Sequence, residues 1–211
     1  MDGSKTRQLW IQLWEPMDLA GKPDSGFDEL AARYAEPTRH YHNLRHIEEC
    51  LAEFEPVRQL AQNPIAVELA IWFHDAVYDS RASDNEEHSA EVARTQIEQR
   101  TGKPALANSV ANLVMATKNH DPSLHPDAPL LVDVDLSILG KPADRFQEYE
   151  RDIRKEYAWV DPAIFSARRA EILEQFLARP RIFSTKPFSG KYENAARENL
   201  QNSIRALRQT A

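Results

Sequence analysis

The chain has 211 residues, a formal net charge of −7, 42% hydrophobic residues, 28% charged residues and only six glycines. This length favours one well-buried core, and the composition is that of a globular protein rich in helix formers. The negative charge argues against binding of a nucleic-acid polymer, because proteins that bind the phosphate backbone cluster Lys and Arg.

We expect a cytoplasmic protein with no membrane partner. The first residues, 1–8, lack the pattern of a signal peptide, and no apolar run approaches the length that spans a bilayer. The single cysteine, Cys50, excludes a disulfide within the chain, and its helical surroundings favour a small buried hydrophobe. The sequence does not indicate an oligomeric state.

The apolar spacing in the N-terminal part predicts three helices. The first two end near Pro16 and Pro37, and each carries a helical stripe of large apolar residues. Asn43 is a typical N-cap residue and predicts a third helix through Phe54. Pro64 suits the first position of a fourth helix.

The fourth predicted helix runs from Pro64 through His74 and Asp75 and is apolar nearly all round. We therefore expect it to be the central, buried helix. After it, Asp84 and Glu87 have the spacing of a capping box and predict a further helix that stops at Gly102.

The C-terminal half is also predicted to be helical. Pro104 begins one helix, and the Pro-rich segment 118–129 is predicted to be a loop. The apolar run 130–140 resembles a buried strand in composition, but no other segment offers a partner strand, so we predict a helix ending at Gly140. Further helices are predicted near 142–157, 162–178 and 190–209. The predicted fold is all-α, with one domain over residues 1–211.

His74 and Asp75 lie side by side in an otherwise apolar run. Burying an imidazole beside a carboxylate is costly unless both are satisfied, and a bound cation satisfies both at once. A divalent metal usually takes at least three protein ligands. Candidates for the remaining ligands lie in two places, one with His42 and His46 and the other with Asp133 and Asp135.

Each of these residues also has a purely structural interpretation. A histidine on an apolar helix face is more often a satisfied core residue than a ligand, and Asp133 is open to pairing with an arginine. Glu86 and Glu87 suit the start of a helix electrostatically. His88, His120 and His125 have polar neighbours, and we expect them to be exposed.

Four motifs occur together in this chain, namely Tyr41-His42-Asn43-Leu44-Arg45-His46-Ile47, Phe73-His74-Asp75 with Asp79, residues 84–90, and residues 133–140. They resemble the HD superfamily of metal-dependent phosphohydrolases, and in particular a bacterial group of short predicted members. The resemblance covers about residues 38–140 and continues more weakly through residues 181–183 and 196–200, so nearly the whole chain is covered. The resemblance implies an HD-type helical bundle with extra helices at both ends.

By position, the resemblance makes His46, His74, Asp75 and Asp135 the metal ligands. The Tyr-His-Asn-x-x-His arrangement is also similar to that of cyclic-nucleotide phosphodiesterases, which implies that His42 protonates the leaving oxygen. Asp75, beside the metal, is the candidate acceptor of a proton from the attacking water.

Members of the superfamily with two metals place another histidine one turn after His-Asp, where this chain has Tyr78. This favours one divalent ion of unresolved identity, and a second ion held with help from His120, Glu87 or His88 is the less favoured alternative. Glu87 is the first candidate to orient the attacking water, and Glu86 is the alternative. The candidate phosphate contacts are Arg45, Lys118 and His120.

The expected activity is hydrolysis of a small phosphorylated substrate by metal-activated water. The substrate is an ester or anhydride, with a nucleotide as one candidate. The metal would offset the substrate's charge, which reconciles an acidic protein with an anionic substrate. Two alternatives stay open. One is a di-iron oxygenase of the HD type, and the other is a non-catalytic nucleotide-binding regulatory module.

Overall fold

The computed structural model describes residues 3–15 and 23–210, which form ten α-helices and two 3-10 helices without any strand. The prediction of an all-α fold is confirmed. The α-helices are α1 (Gly3–Trp14), α2 (Pro23–Tyr34), α3 (Leu44–Phe54), α4 (Pro64–Phe73), α5 (Asn85–Thr101), α6 (Pro104–Thr117), α7 (Ala128–Asp135), α8 (Ala143–Glu156), α9 (Pro162–Ala178) and α10 (Lys186–Thr210). The 3-10 helices are Glu55–Leu60 and Leu136–Gly140.

The chain divides into two compact units, Met1–Val132 and Asp133–Ala211. The expectation that residues 1–211 form one domain stays a prediction. None of the helices that the structure describes is both long and apolar enough to cross a membrane.

Helix α4 is the centre of the first unit, as its apolar sequence predicts. Every residue from Ala66 to Phe73 is buried, and the helix packs on α3, α5 and α6. Pro64 occupies the first turn, and the Asn63 side chain caps the helix by accepting a hydrogen bond from the Ala66 amide over 3.1 Å. The helix is thus fixed at its start by local signals and along its length by burial.

The end of α4 differs from the prediction. The helix stops at Phe73, two residues before Asp75. His74 keeps helical backbone angles (φ −59°, ψ −33°) and still donates its amide to Ala70 over 2.9 Å, whereas Asp75 lies in the turn that follows. The histidine and the aspartate therefore stand at a helix end and not within a helix.

The predicted N-terminal cap is present in α3 but absent in α5. Asn43 caps α3 as predicted, and its side chain accepts from the Arg45 amide over 2.9 Å. Asp84 is the N-cap residue of α5, but its side chain makes no capping bond, and Glu87 pairs with Lys118. The predicted capping box is therefore wrong, although α5 does end at Gly102, which has a left-handed φ of 61°.

In the second unit, the buried carboxylate of Asp133 holds the start of α10. Asp133 is 0% exposed and accepts hydrogen bonds from the backbone amides of Ser184 (2.8 Å) and Thr185 (2.7 Å) and from the Thr185 hydroxyl (2.7 Å). These partners, and not an arginine, explain how an acidic residue is tolerated within the apolar run 130–140. The run itself is helical and ends at Gly140, as predicted.

Candidate metal centre

Three side chains from two places in the first unit, His46 and the adjacent pair His74-Asp75, bring one ligand atom each to a common point. The Nε2 atoms of His46 and His74 lie 3.0 Å apart, and Asp75 Oδ2 lies 3.0 Å from His74 Nε2 and 3.5 Å from His46 Nε2. His46 and His74 are each only 2% exposed, and Asp75 is half-buried. These three residues form the cluster that the sequence predicts around His74 and Asp75.

The two ends of the cluster are positioned by helix termini. His46 lies in the first turn of α3, just after the Asn43 cap, and His74 follows the last residue of α4. Because α3 and α4 pack against each other, the start of one helix meets the end of the other. Helix packing thus brings together His46 and His74, which are 28 positions apart in the sequence.

The second nitrogen of His74 fixes the orientation of its ring. His74 Nδ1 lies 3.0 Å from the carbonyl oxygen of Ile71. A carbonyl oxygen only accepts hydrogen bonds, so Nδ1 carries a proton and, in the neutral imidazole, Nε2 carries the lone pair. Metal-binding histidines are commonly oriented by a backbone carbonyl in this way.

The close approach of His74 Nε2 to Asp75 Oδ2 has a direct electrostatic consequence. A neutral His74 with its proton on Nδ1 places two lone-pair atoms 3.0 Å apart at this contact. Such a contact is repulsive unless a positive charge lies there. Either a bound cation or the protonated form of His74 provides it.

The spacing of the three ligand atoms fits a single metal ion. With bonds of about 2.1 Å, two ligand atoms are about 3.4 Å apart in a tetrahedral sphere and about 3.0 Å apart in an octahedral one. The three distances of 3.0, 3.0 and 3.5 Å fall on these values. His46, His74 and Asp75 can therefore occupy one face of the coordination sphere and leave positions for further ligands.

The field within the cluster favours negative charge on Asp75. Burial alone would raise the pKa of the Asp75 carboxyl, but positive charge on His74, followed by His42 and His46, outweighs it. The pKa of Asp75 is held well below its ordinary value. An ionised carboxylate is the form that binds a cation.

Arg39 is a residue of the site that the sequence interpretation missed. Its guanidinium is buried and donates to the carbonyl oxygens of Asp75 (2.5 Å), Ala76 (3.2 Å) and His42 (3.4 Å). Glu36 accepts from Arg39 Nε over 2.9 Å and balances its charge. The arginine thereby ties the turn after α4 to the loop before α3.

His42 stands beside the cluster, stacked on another aromatic ring. Its imidazole lies 4.0 Å from the ring of Tyr78 with an angle of 25° between the planes, and 6.2 Å from the ring of His46. Tyr78 thus restrains His42 by stacking. In the sequence, its position indicated only that the histidine for a second metal is missing. The Arg39 guanidinium lies 5.8 Å from the Tyr78 ring.

Cys50 is buried, as predicted, one turn after His46. Its sulfur lies 3.7 Å from His46 Nδ1. The sulfur also lies 3.8 Å from His46 Nε2, so it packs against the ring of this histidine.

The fourth predicted ligand, Asp135, lies in the second unit at the last position of α7 and is half-buried. Its role as a ligand stays a prediction. Asp133, the other acidic residue of that run, is already committed to the start of α10.

The other predicted site residues are more exposed. Glu87 forms an ion pair with Lys118, and Arg45 pairs with Glu49 over 3.2 Å on the surface of α3. The hydrogen bond to Lys118 lowers the pKa of Glu87. Their roles in positioning water and in phosphate binding stay predictions.

His120 is half-buried and takes the left-handed conformation, with φ of 49°. A residue with a side chain adopts this conformation uncommonly, and histidine does so more often than most. Its predicted contact with a phosphate stays a prediction. His88 is exposed and lies 3.3 Å from Asp84 on the surface of α5.

No protein-family model, characterised protein or solved structure that was compared with the chain matches it. The arrangement of the buried histidines and the aspartate is therefore the main basis for a functional assignment.

Proposed function

We propose that the protein is a metal-dependent hydrolase of a small phosphate ester or anhydride, with a nucleotide as one candidate substrate. The observation that carries the proposal is the triangle of His46 Nε2, His74 Nε2 and Asp75 Oδ2, with sides of 3.0 to 3.5 Å. Buried imidazoles and a carboxylate at this spacing match the donor set of a divalent ion with open positions. When bound, such an ion polarises a phosphoryl oxygen and makes water a better nucleophile near neutral pH.

The order of these residues in the chain gives the proposal its reaction class. A histidine near a helix start, followed by His-Asp at the end of a buried helix, resembles the HD superfamily of phosphohydrolases. The resemblance is supported by the convergence of His46, His74 and Asp75, which the motif requires and which a separation of 28 positions between the histidines does not guarantee.

Asp75 serves two purposes in the proposed reaction. One oxygen, Oδ2, faces the two imidazole nitrogens, and the low pKa of the carboxyl keeps it ionised. The second proposed purpose is to accept a proton from the attacking water, whose own pKa a bound metal would lower.

His42 is the proposed general acid. Its ring lies next to the cluster without being one of the three converging groups, and Tyr78 restrains it by stacking. A histidine titrates near neutral pH, so it can give a proton to the leaving oxygen of a bound phosphate. A side chain fixed in this way needs little further ordering when substrate arrives.

The two cations predicted to contact the phosphate suit a small substrate more than a polymer. Arg45 and Lys118 are each paired with a glutamate, so each is partly neutralised before any substrate binds. With a net charge of −7, the chain has no surplus of positive charge with which to follow a nucleic-acid backbone. The charge of the substrate would be offset mainly at the cluster itself.

The test is metal analysis of the purified protein, followed by a screen of nucleotides and sugar phosphates with Mn, Co, Ni or Mg added. We expect close to one divalent ion per chain and phosphate release from at least one class of substrate. Asp75→Ala should remove both metal and activity. Asp28→Ala is the matched control. It removes an exposed carboxylate of α2 that pairs with Arg7 of α1, and the variant should retain both metal and activity.

Three outcomes would contradict the proposal. A metal-free Asp75→Ala protein with full activity would show that hydrolysis does not depend on the cluster. Two irons per chain, with dioxygen consumption and no phosphate release, would indicate the oxygenase chemistry. Binding of nucleotides without turnover under any metal would indicate a regulatory module.

A further inference from the structure

A cavity of about 470 Å³ lies between α8, α9 and α10, within the second unit. This volume falls in the range of about 300–1,000 Å³ that small-molecule pockets usually occupy. Its apolar wall includes Phe146 and Phe165, which are mostly buried, together with Ala206 and Leu207 at the C-terminal end of α10. The cavity thus offers an apolar surface of useful size to a ligand.

The acidic group in the cavity lining is already neutralised. Glu150 accepts from Arg169 Nη2 over 2.5 Å and from the Ser203 hydroxyl over 2.8 Å. Both carboxylate oxygens therefore have donors from within the fold. Glu150 consequently offers little attraction to a cationic ligand.

Two arginines give the lining an excess of positive charge. Arg154 is tied to the fold, since it donates to the carbonyl oxygens of Tyr157 (2.6 Å) and Val160 (3.0 Å). Arg151, one turn earlier on α8, is exposed and makes no hydrogen bond or ion pair with any residue that the structure describes. The cavity therefore has one guanidinium available to an incoming anion.

We infer that this cavity binds a small amphipathic monoanion, namely a medium-chain carboxylate whose apolar tail packs on Phe146 and Phe165 and whose head pairs with Arg151. A planar carboxylate matches the fork of a guanidinium, and one available arginine matches one negative charge. Burial of the tail supplies the main driving force, and the ion pair selects the head group. The inference does not depend on the proposed hydrolase activity.

The experiment compares three probes that share one apolar tail, namely octanoate, octanol and octylamine. Each is titrated into the full chain at low ionic strength, and binding is measured by calorimetry and by chemical-shift changes in NMR spectra. We expect octanoate to bind with a stoichiometry of one, and more tightly than octanol or octylamine.

Two variants locate the site. Arg151→Ala should weaken octanoate binding about fivefold, which is the effect expected for an exposed ion pair, and should leave octanol binding unchanged. Ala206→Trp should abolish binding of octanoate by filling the cavity. Arg168→Ala, which removes an exposed arginine of α9 outside the lining, is the matched control and should bind like the wild type.

Circular dichroism melts of each variant show whether a loss of binding is a loss of fold. Equal affinity for the three probes, or an Arg151→Ala protein that binds octanoate like the wild type, would overturn the assignment of the head-group contact. A folded Ala206→Trp protein that still binds octanoate would overturn the location. An absence of octanoate binding to the wild type would overturn the inference as a whole.

Discussion

Replacing Arg39 by Met tests whether one buried arginine holds the candidate metal centre together. In the wild type the guanidinium donates to the carbonyl oxygens of Asp75 (2.5 Å) and Ala76 (3.2 Å), and its side chain is 1% exposed. Methionine has a similar length but no donor, so two buried carbonyls lose a partner. At about 1–3 kcal/mol for each orphaned group, the free energy of unfolding should fall by about 2–6 kcal/mol.

The same substitution should weaken metal binding. Arg39 fixes the backbone at Asp75 and, over 3.4 Å, at His42, without touching the ligand atoms themselves. Loss of groups that orient metal ligands commonly costs about 10–100-fold in affinity. We therefore expect Mn²⁺ to bind Arg39→Met at least about tenfold more weakly than the wild type.

Arg39→Lys separates charge from geometry. Lysine keeps the positive charge beside Glu36 but presents a single ammonium in place of the planar fork. Its stability should fall between those of the wild type and Arg39→Met, whereas its metal affinity should resemble that of Arg39→Met. Arg33→Met, on the neighbouring part of α2, controls for the loss of an arginine that does not reach the site.

Urea unfolding of the metal-free proteins measures the loss of stability, and calorimetric titration with Mn²⁺ measures the affinity. The reasoning is refuted if Arg39→Met unfolds within about 1 kcal/mol of the wild type, since that loss is too small for two orphaned buried carbonyls. It is also refuted if a folded Arg39→Met protein binds Mn²⁺ like the wild type.

Substitutions at three further positions test the packing and charges of each unit. Gly140→Ala would place a Cβ 2.5 Å from the Cβ of Tyr192, and it should lower the free energy of unfolding by about 1–3 kcal/mol, measured in urea; an unchanged midpoint would contradict the predicted clash. Asp133→Ala should cost about 2–5 kcal/mol in the same assay, because it removes a buried carboxylate that accepts hydrogen bonds from two backbone amides and a hydroxyl, and Asp133→Asn should cost less because one oxygen remains. Burial raises the pKa of Glu68 against the opposing hydrogen bond from Arg58, so its neutral form is favoured in the folded state. This stabilisation is complete below the unfolded pKa of about 4.3 and is lost as pH rises through the higher folded value. Wild-type stability should therefore fall relative to Glu68→Gln as the pH rises from about 4 through the raised pKa of the folded state, and parallel pH profiles would refute the shift.

Local signals predicted much of the helical framework. Asn43, Pro64 and Gly102 each mark a helix boundary with a backbone requirement that the structure reproduces. The apolar sequence of α4 likewise indicated its burial. These features depend on residues within one or two turns of each other, which is why the sequence alone was informative.

Interactions between distant residues were not predictable in the same way. Arg39 binds carbonyl groups that every residue possesses, so nothing at Asp75 or Ala76 in the sequence marks them as its partners. The stacking of Tyr78 on His42 requires the turn after α4 to meet the loop before α3. Likewise, Glu87 has the right spacing for a capping box, but an ion pair with the distant Lys118 replaces it.

Helix α4 was predicted to continue through Asp75 but ends at Phe73, and this early end positions the residues of the candidate site. A helix that continued through Asp75 would commit the carbonyl of Ile71 to the Asp75 amide, because helical hydrogen bonds join residues four apart. The helix instead stops at Phe73, and the Ile71 oxygen lies 3.0 Å from His74 Nδ1. Termination therefore frees the acceptor that fixes the His74 ring, and it turns the chain so that Asp75 Oδ2 lies beside His74 Nε2. Because the helix has ended, no helical amide in the described part of the chain donates to the carbonyl oxygens of Asp75 and Ala76, and Arg39 donates to them instead. The end of the helix thus places His74 beside Asp75 and also leaves the carbonyl groups through which Arg39 holds this turn.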